Sequence, residues 1–181
     1  MLCQAFDAAT GRLSEPAHAA VHSKPGAGPR HIAFARDRAL LYLVNELDGS
    51  VNTYARDAAT GALTELQSIT LLPPGAGPKA SAADLHLTPD ERFLYASERS
   101  TDTLAMFAVD PADGMLTALG HVASEPTPRG FRIDPSGRYL LCAGLASGTV
   151  GVYAIGADGM LEKRGTTPVG GGANWVEIIP Q

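Results

Sequence analysis

The chain has 181 residues, of which 45% are hydrophobic and 18% are charged, and its formal net charge is −5 at pH 7. This size and balance fit one globular domain that can bury a sizeable core. The Lys and Arg residues form no cluster, so the basic face that nucleic-acid phosphates require is missing and no nucleic-acid partner is expected. No run approaches the roughly 18 apolar residues of a membrane helix, so no membrane partner is expected either.

The N-terminal sequence and the two cysteines set further expectations. The first residues include Asp7 and lack a basic start followed by a long apolar core, so no signal peptide is visible and we predict a cytoplasmic protein. Cys3 and Cys142 stand in no CxxC pair, and Cys142 lies in an apolar run, where a buried thiol is the common outcome. No spacing of metal ligands is evident, and we predict neither a metal nor a cofactor.

The segment 26–51, GAGPRHIAFARDRALLYLVNELDGSV, organises the rest of the sequence. Its apolar residues Ile32 and Phe34 alternate, a polar turn with Asp37 follows, and a second apolar run covers 40–44. Short apolar runs separated by turns at this spacing are typical of antiparallel β-strands. An aspartate in such a turn is more often a turn former than a catalytic acid, and we interpret Asp37 in this way.

Copies of this segment recur at intervals of about 45–53 residues, which is the period of a propeller blade. The second and third copies occupy 83–95 and 129–141, and a fourth starts at 174–178. The second half of the unit also recurs, at 2–13, 51–63, 104–116 and 150–161.

The repeats predict an all-β fold, a partial β-propeller of about 3.5–4 four-stranded blades in which neighbouring blades bury each other's faces. The predicted units are half a blade at 1–25, blades at 26–79, 80–126 and 127–172, and an opening strand at 173–181. Open blade faces at the two ends would favour association, so a homodimer that covers them is one predicted partnership.

Four ordered motifs, GAGPRHIAF, LYLVNELDGSV, SAADLHLTPDERFLYASER and TPRGFRIDPSGRYLL, closely resemble the seven-bladed β-propeller lactonase family. That family includes bacterial 6-phosphogluconolactonases of the propeller type and fungal carboxy-muconate lactonizing enzymes. Its members are longer and close a ring of seven blades, so the chain resembles their C-terminal half only. In the muconate enzymes an active-site histidine comes from the blade before the GPRH motif, and the inner half of that blade is absent here.

The resemblance also implies a site, because the inner strands of a propeller line a central channel. Its expected catalytic residues are Glu46, His31 and Arg99, and its expected substrate-binding residues are Arg30, Arg129 and Asp84. Guanidinium groups bind anionic lactones through charge-assisted hydrogen bonds and can stabilise the oxyanion of the tetrahedral transition state. Either Glu46 or His31 could take the proton of the attacking water.

Plainer interpretations compete with these roles. Glu46 follows a strand and could be a solvated strand end, while Asp90 could be a turn former. His86 alternates with leucines on a strand and could be a packed histidine. Trp175 and Tyr42 are expected to lie in the core or between blades.

The resemblance implies a lactone hydrolase of the 6-phosphogluconolactonase type, acting on a small anionic sugar lactone through water. The sequence has no G-x-S-x-G elbow, which disfavours a covalent serine esterase. One alternative is a carboxy-muconate lactonizing cycloisomerase, in which Glu46 would move a carbon-bound proton. The other is an inactive truncated propeller that serves as a binding fragment.

Overall fold

The computed structural model describes residues 1, 3–15, 20–35 and 39–179. All regular structure in these ranges is β, with 14 strands and no helix, which confirms the predicted all-β class. No helix able to cross a membrane occurs in the part of the chain that is described. The turn predicted at Asp37 lies outside the described residues.

Three four-stranded antiparallel sheets follow one another along the chain, and a two-stranded hairpin precedes them. The hairpin pairs β1 (Phe6–Asp7) with β2 (Arg12–Leu13). The first sheet contains β3 (Pro29–Phe34), β4 (Leu40–Asn45), β5 (Ser50–Arg56) and β6 (Leu63–Thr70). The second sheet contains β7 (Ala82–Leu87), β8 (Phe93–Glu98), β9 (Thr103–Val109) and β10 (Leu116–Ala123). The third sheet contains β11 (Pro128–Ile133), β12 (Tyr139–Gly144), β13 (Thr149–Ile155) and β14 (Leu161–Pro168).

Each sheet is a meander whose first strand is innermost, and the three sheets pack face to face. Because side chains alternate along a strand, each sheet offers one face to the sheet before it and the other to the sheet after it. The core between the first two sheets includes Tyr42 and Phe107, and the core between the second and third includes Tyr95 and Tyr153. Strand β7 contacts β3 on one side and β11 on the other.

Buried tyrosines join neighbouring sheets at equivalent positions. The Tyr42 hydroxyl donates to the carbonyl of Gly114 at 2.8 Å, and the Tyr95 hydroxyl donates to the carbonyl of Gly159 at 2.9 Å. Burial raises the pKa of Tyr95, which keeps the phenol protonated and able to donate. Gly159 has φ +82°, and a Cβ at this position would overlap the ring of Phe93. Each turn glycine therefore lets the next sheet approach the preceding one closely.

The N-terminal segment covers the face of the first sheet that is directed away from the second sheet. Met1 and Val21 bond to each other through their backbones and pack against Leu41, Leu43 and Tyr54. These three side chains are at most 3% exposed. Part of the face that a preceding blade would cover is therefore buried by the chain itself.

The C-terminal segment differs from its prediction as an opening strand, since no strand is assigned within 173–179. The segment lies beside β11, where a Cβ at Gly130 would come within 2.7 Å of the Asn174 carbonyl oxygen. Arg132 of β11 also pairs with Glu177 at 3.1 Å. A strand needs ladder hydrogen bonds to a neighbour, and no such ladder joins this segment to another among the described residues.

We expect Gly159→Ala to destabilise the protein more than Gly75→Ala. Of these two glycines, only Gly159 has a side chain of the neighbouring blade close to the position of an added Cβ. Gly75 has φ +78° and nothing within 4 Å of an added Cβ, so it reports the cost of the left-handed backbone alone, about 1–2 kcal/mol. Overpacking against Phe93 adds about 1–3 kcal/mol at Gly159. Urea unfolding measures both losses, and equal losses would contradict the tight contact between the second and third sheets.

Candidate active site

The six predicted site residues lie at one end of the inner strands. Arg30 and His31 belong to β3, Asp84 to β7 and Arg129 to β11, while Glu46 and Arg99 directly follow β4 and β8. In an antiparallel pair the start of one strand lies beside the end of the next. Pro29 therefore pairs with Asn45, and Ala82 with Glu98.

A β-bulge occurs at the same place in all three inner strands. The register shifts by one residue between Pro29 and Ile32, between Ala82 and Leu85, and between Pro128 and Phe131. A bulge leaves a residue outside the ladder and redirects its side chain. The residues inside these three bulges are Arg30 and His31, Ala83 and Asp84, and Arg129 and Gly130.

Glu46 joins two of the arginines. Its Oε2 lies 3.5 Å from Nε of Arg30, and its Oε1 contacts Nη2 of Arg99. Arg99 also donates to the carbonyls of Ser81 at 2.9 Å and Ala82 at 3.2 Å. The Glu46 carboxylate thus holds guanidinium groups from the first and second sheets in fixed positions.

Asp84 is the most buried carboxylate of the group, with a side chain 3% exposed. Its Oδ1 accepts from Nδ1 of His31 at 2.7 Å and from the Leu85 amide at 3.0 Å. Its Oδ2 accepts from Nε2 of His86 at 3.2 Å and from the Phe131 amide at 3.3 Å. Burial raises the pKa of Asp84, but the hydrogen bonds from His86 and His31 lower it by more than burial raises it. The pKa of Asp84 therefore lies below the ordinary value. The side chain is therefore a carboxylate that only accepts.

The ionised Asp84 fixes the tautomer of His31. Since the carboxylate can only accept, Nδ1 of the ring carries the hydrogen, and Nε2 of the neutral ring keeps its lone pair. Arg30 donates to this nitrogen from Nη1 at 3.0 Å and to the Ala83 carbonyl from the same atom. The result is a histidine oriented by a carboxylate, as a general base requires.

Arg30, His31 and Arg129 open onto a small cavity of about 180 Å³, which we call the arginine cavity. Its other walls are Gly130, Asn174 and Trp175. Trp175 was expected to be packed, but it is 59% exposed because the described residues place no further sheet over it. Sequence reasoning missed Asn174 and Trp175 as site residues, although they fall on Arg129 and Gly130 when the repeats are aligned.

The site carries positive charge in an acidic protein. The guanidinium groups of Arg30, Arg99 and Arg129 oppose the carboxylates of Glu46 and Asp84, which leaves one net positive charge when His31 is neutral. Burial lowers the pKa of Arg30, Glu46 opposes this effect, and the two neighbouring guanidinium groups add to it. Arginine nevertheless stays protonated in proteins, so the arginine cavity is suited to an anion.

A second cavity of about 550 Å³ lies at the other end of the inner strands, and we call it the distal cavity. Its lining combines apolar and charged side chains, among them Phe34, His86, Leu87, Arg132, Ile133 and Glu177. His86 therefore faces the distal cavity while it bonds to Asp84.

Comparison with known proteins connects this geometry to relatives. The chain is 42% identical over 172 residues to a 6-phosphogluconolactonase of Pectobacterium carotovorum. The aligned region covers 94% of this chain and 52% of that protein. Among solved structures, a protein from Lactobacillus plantarum superposes with a TM-score of 0.88 at 29% identity, over 95% of this chain and 50% of the other. The periplasmic gluconolactonase of Pseudomonas aeruginosa superposes with a TM-score of 0.80 at 35% identity, over 85% and 43%.

The chain spans about half the length of the curated relatives that it matches. The family described as "Lactonase, 7-bladed beta-propeller" matches residues 1–178, which is nearly the whole sequence. The chain belongs to the seven-bladed β-propeller lactonase family.

Proposed function

We propose that the chain carries the site of a lactone hydrolase that acts on an anionic sugar lactone, as in 6-phosphogluconolactonases. The observation that carries this proposal is the position of His31, which lies between the Asp84 carboxylate and the Arg30 guanidinium at the wall of the arginine cavity. The names of the relatives support a sugar lactone as substrate, since both a 6-phosphogluconolactonase and a gluconolactonase are among them, and the substrate of the first carries an anionic phosphate.

The proposed reaction uses water as the nucleophile. Nε2 of His31 takes a proton from water while the water oxygen bonds to the lactone carbonyl carbon. The carbonyl oxygen becomes an oxyanion, which a guanidinium group of Arg30 or Arg129 stabilises. The oxyanion then re-forms the carbonyl, the bond between the carbonyl carbon and the ring oxygen breaks with its electron pair passing to the ring oxygen, and this oxygen takes the proton from His31, which yields the open hydroxy acid.

Arg30 has a second role in this proposal, because it controls access to the lone pair of His31. In the structure its Nη1 donates to Nε2 of His31, the nitrogen that must accept the water proton. An anionic substrate would attract this guanidinium group and free the lone pair of His31. Binding and activation of the base would then occur together.

Glu46 is given a different role from that of a base. Its carboxylate is shared between Arg30 and Arg99, and it is not among the residues that line the arginine cavity. We assign it the positioning of those two guanidinium groups, and we assign the proton transfer to His31. Cytoplasmic location and pairing of two chains both stay predictions.

We expect His31→Gln to lower kcat for 6-phosphogluconolactone by about 10²–10⁴-fold, the usual contribution of a general base. Glu46→Gln should instead raise KM and change kcat by less than about tenfold, because it loosens binding groups rather than removing the base. His22→Gln, at an exposed histidine, is the matched control and should leave both constants unchanged. Steady-state rates corrected for spontaneous hydrolysis measure these effects.

Reversed effects of the His31 and Glu46 substitutions would move the base to Glu46. A folded chain without turnover would contradict the proposed hydrolase and leave the inactive binding fragment. Turnover of a carboxymuconolactone in its place would favour the cycloisomerase.

We expect Arg129→Gln to discriminate between a phosphorylated and an unphosphorylated lactone. If Arg129 binds the phosphate, the change should lower kcat/KM for 6-phosphogluconolactone by about 10–100-fold, the effect of one charge-assisted hydrogen bond. The kcat/KM for gluconolactone, which has no phosphate, should change by less than about twofold. Arg138→Gln, at an exposed arginine, is the control. Equal losses on both lactones would place Arg129 at the carbonyl instead.

A further inference from the structure

Asp84 has a second histidine partner, His86, that the proposed reaction does not use. His86 follows Asp84 by two residues on β7, and its side chain is 22% exposed. It lines the distal cavity, whereas His31 lines the arginine cavity. The Asp84 carboxylate therefore lies between two imidazole rings that face different cavities.

The contacts of His86 fix its position. Its Nε2 lies 3.2 Å from Oδ2 of Asp84, and its ring meets the ring of Phe131 edge to face, with centroids 4.9 Å apart and an angle of 86°. The Phe131 amide donates to the same Oδ2. Donors from β7 and β11 thus hold Oδ2, which leaves Oδ1 directed at His31.

We infer that His86 is a positioning residue for the hydrolase reaction: by donating from Nε2 to Asp84 it holds that carboxylate aimed at His31, without contacting the substrate. The inference rests on the proposed function for its effect on rate. Its effect on Asp84 itself holds whether or not the chain turns over a lactone.

Several charged groups surround Asp84 and His86. The titratable and charged groups near Asp84 and His86 are Arg30 and His31 on β3, Arg129 and Arg132 on β11, Cys142 on β12, and Glu91 and Glu177 at the distal cavity. Arg132 is paired with Glu177.

The loss of His86 should make Asp84 easier to protonate. Burial raises the pKa of Asp84, and hydrogen bonds from His86 and His31 oppose it. Without His86 one opposing contribution disappears, so the pKa rises and Asp84 binds a proton at higher pH. A protonated Asp84 no longer orients His31 as a carboxylate does.

The test compares His86→Phe, which keeps an aromatic ring but has no donor, with His86→Gln, which keeps an N–H donor. We expect His86→Phe to lower kcat by about tenfold near neutral pH, as loss of one hydrogen bond to a charged group does, with little change in KM. The ¹³C carboxyl titration of Asp84 should move to higher pH. His86→Gln should restore most of the rate and the carboxyl titration of Asp84.

Two outcomes would overturn the inference. One is a carboxyl titration of Asp84 that does not change in His86→Phe, and the other is a folded His86→Gln whose kcat is about tenfold below that of the unsubstituted chain. If His86→Phe does not fold, the second outcome still decides. His121→Phe is the control, since that ring bonds to the Leu71 carbonyl instead. An absence of turnover in the unsubstituted chain would contradict the proposed function alone, because the carboxyl titration would still test His86.

Discussion

A carboxylate as buried as that of Asp84 is stable only if donors satisfy its charge on every side. Asp84 draws these donors from all three sheets: the His31 ring from the first, the Leu85 amide and the His86 ring from the second, and the Phe131 amide from the third. The site therefore depends on the packing of three blades. Conversely, the same carboxylate connects their inner strands and determines which nitrogen of His31 remains a base.

The repeated bulge explains how a regular propeller produces an irregular site. Each blade starts with the same strand and the same one-residue register shift, and different residues occupy the shift in each copy. The first blade supplies Arg30 and His31, the second Asp84, and the third Arg129 beside Gly130. Tyrosine contacts such as that of Tyr95 with the Gly159 turn hold the blades at a constant distance, so these three positions converge.

The sequence predicted the blades because the repeat period and the alternation of apolar residues are local signals. It also predicted that Arg30, Glu46 and Arg99 would be near one another, since strand starts and strand ends meet at the channel and the family resemblance named them. It did not predict that Asp84 would bond to His31, or that His86 would share that carboxylate. The first contact crosses between two sheets, and both depend on how the bulge in β7 directs the Asp84 side chain, which no residue type marks. The exposure of Trp175 was also missed, because it depends on which sheets lie beside the C-terminal segment.

The most direct test is the ¹⁵N spectrum of the histidine rings of the purified chain at neutral pH. It observes the orientation of the base without requiring turnover or a substrate. We predict that His31 carries its hydrogen on Nδ1, with Nε2 unprotonated, and that Asp84→Asn disturbs this preference. A ring protonated on Nε2 alone in the unsubstituted chain would contradict the assignment of His31 as a base oriented by the Asp84 carboxylate.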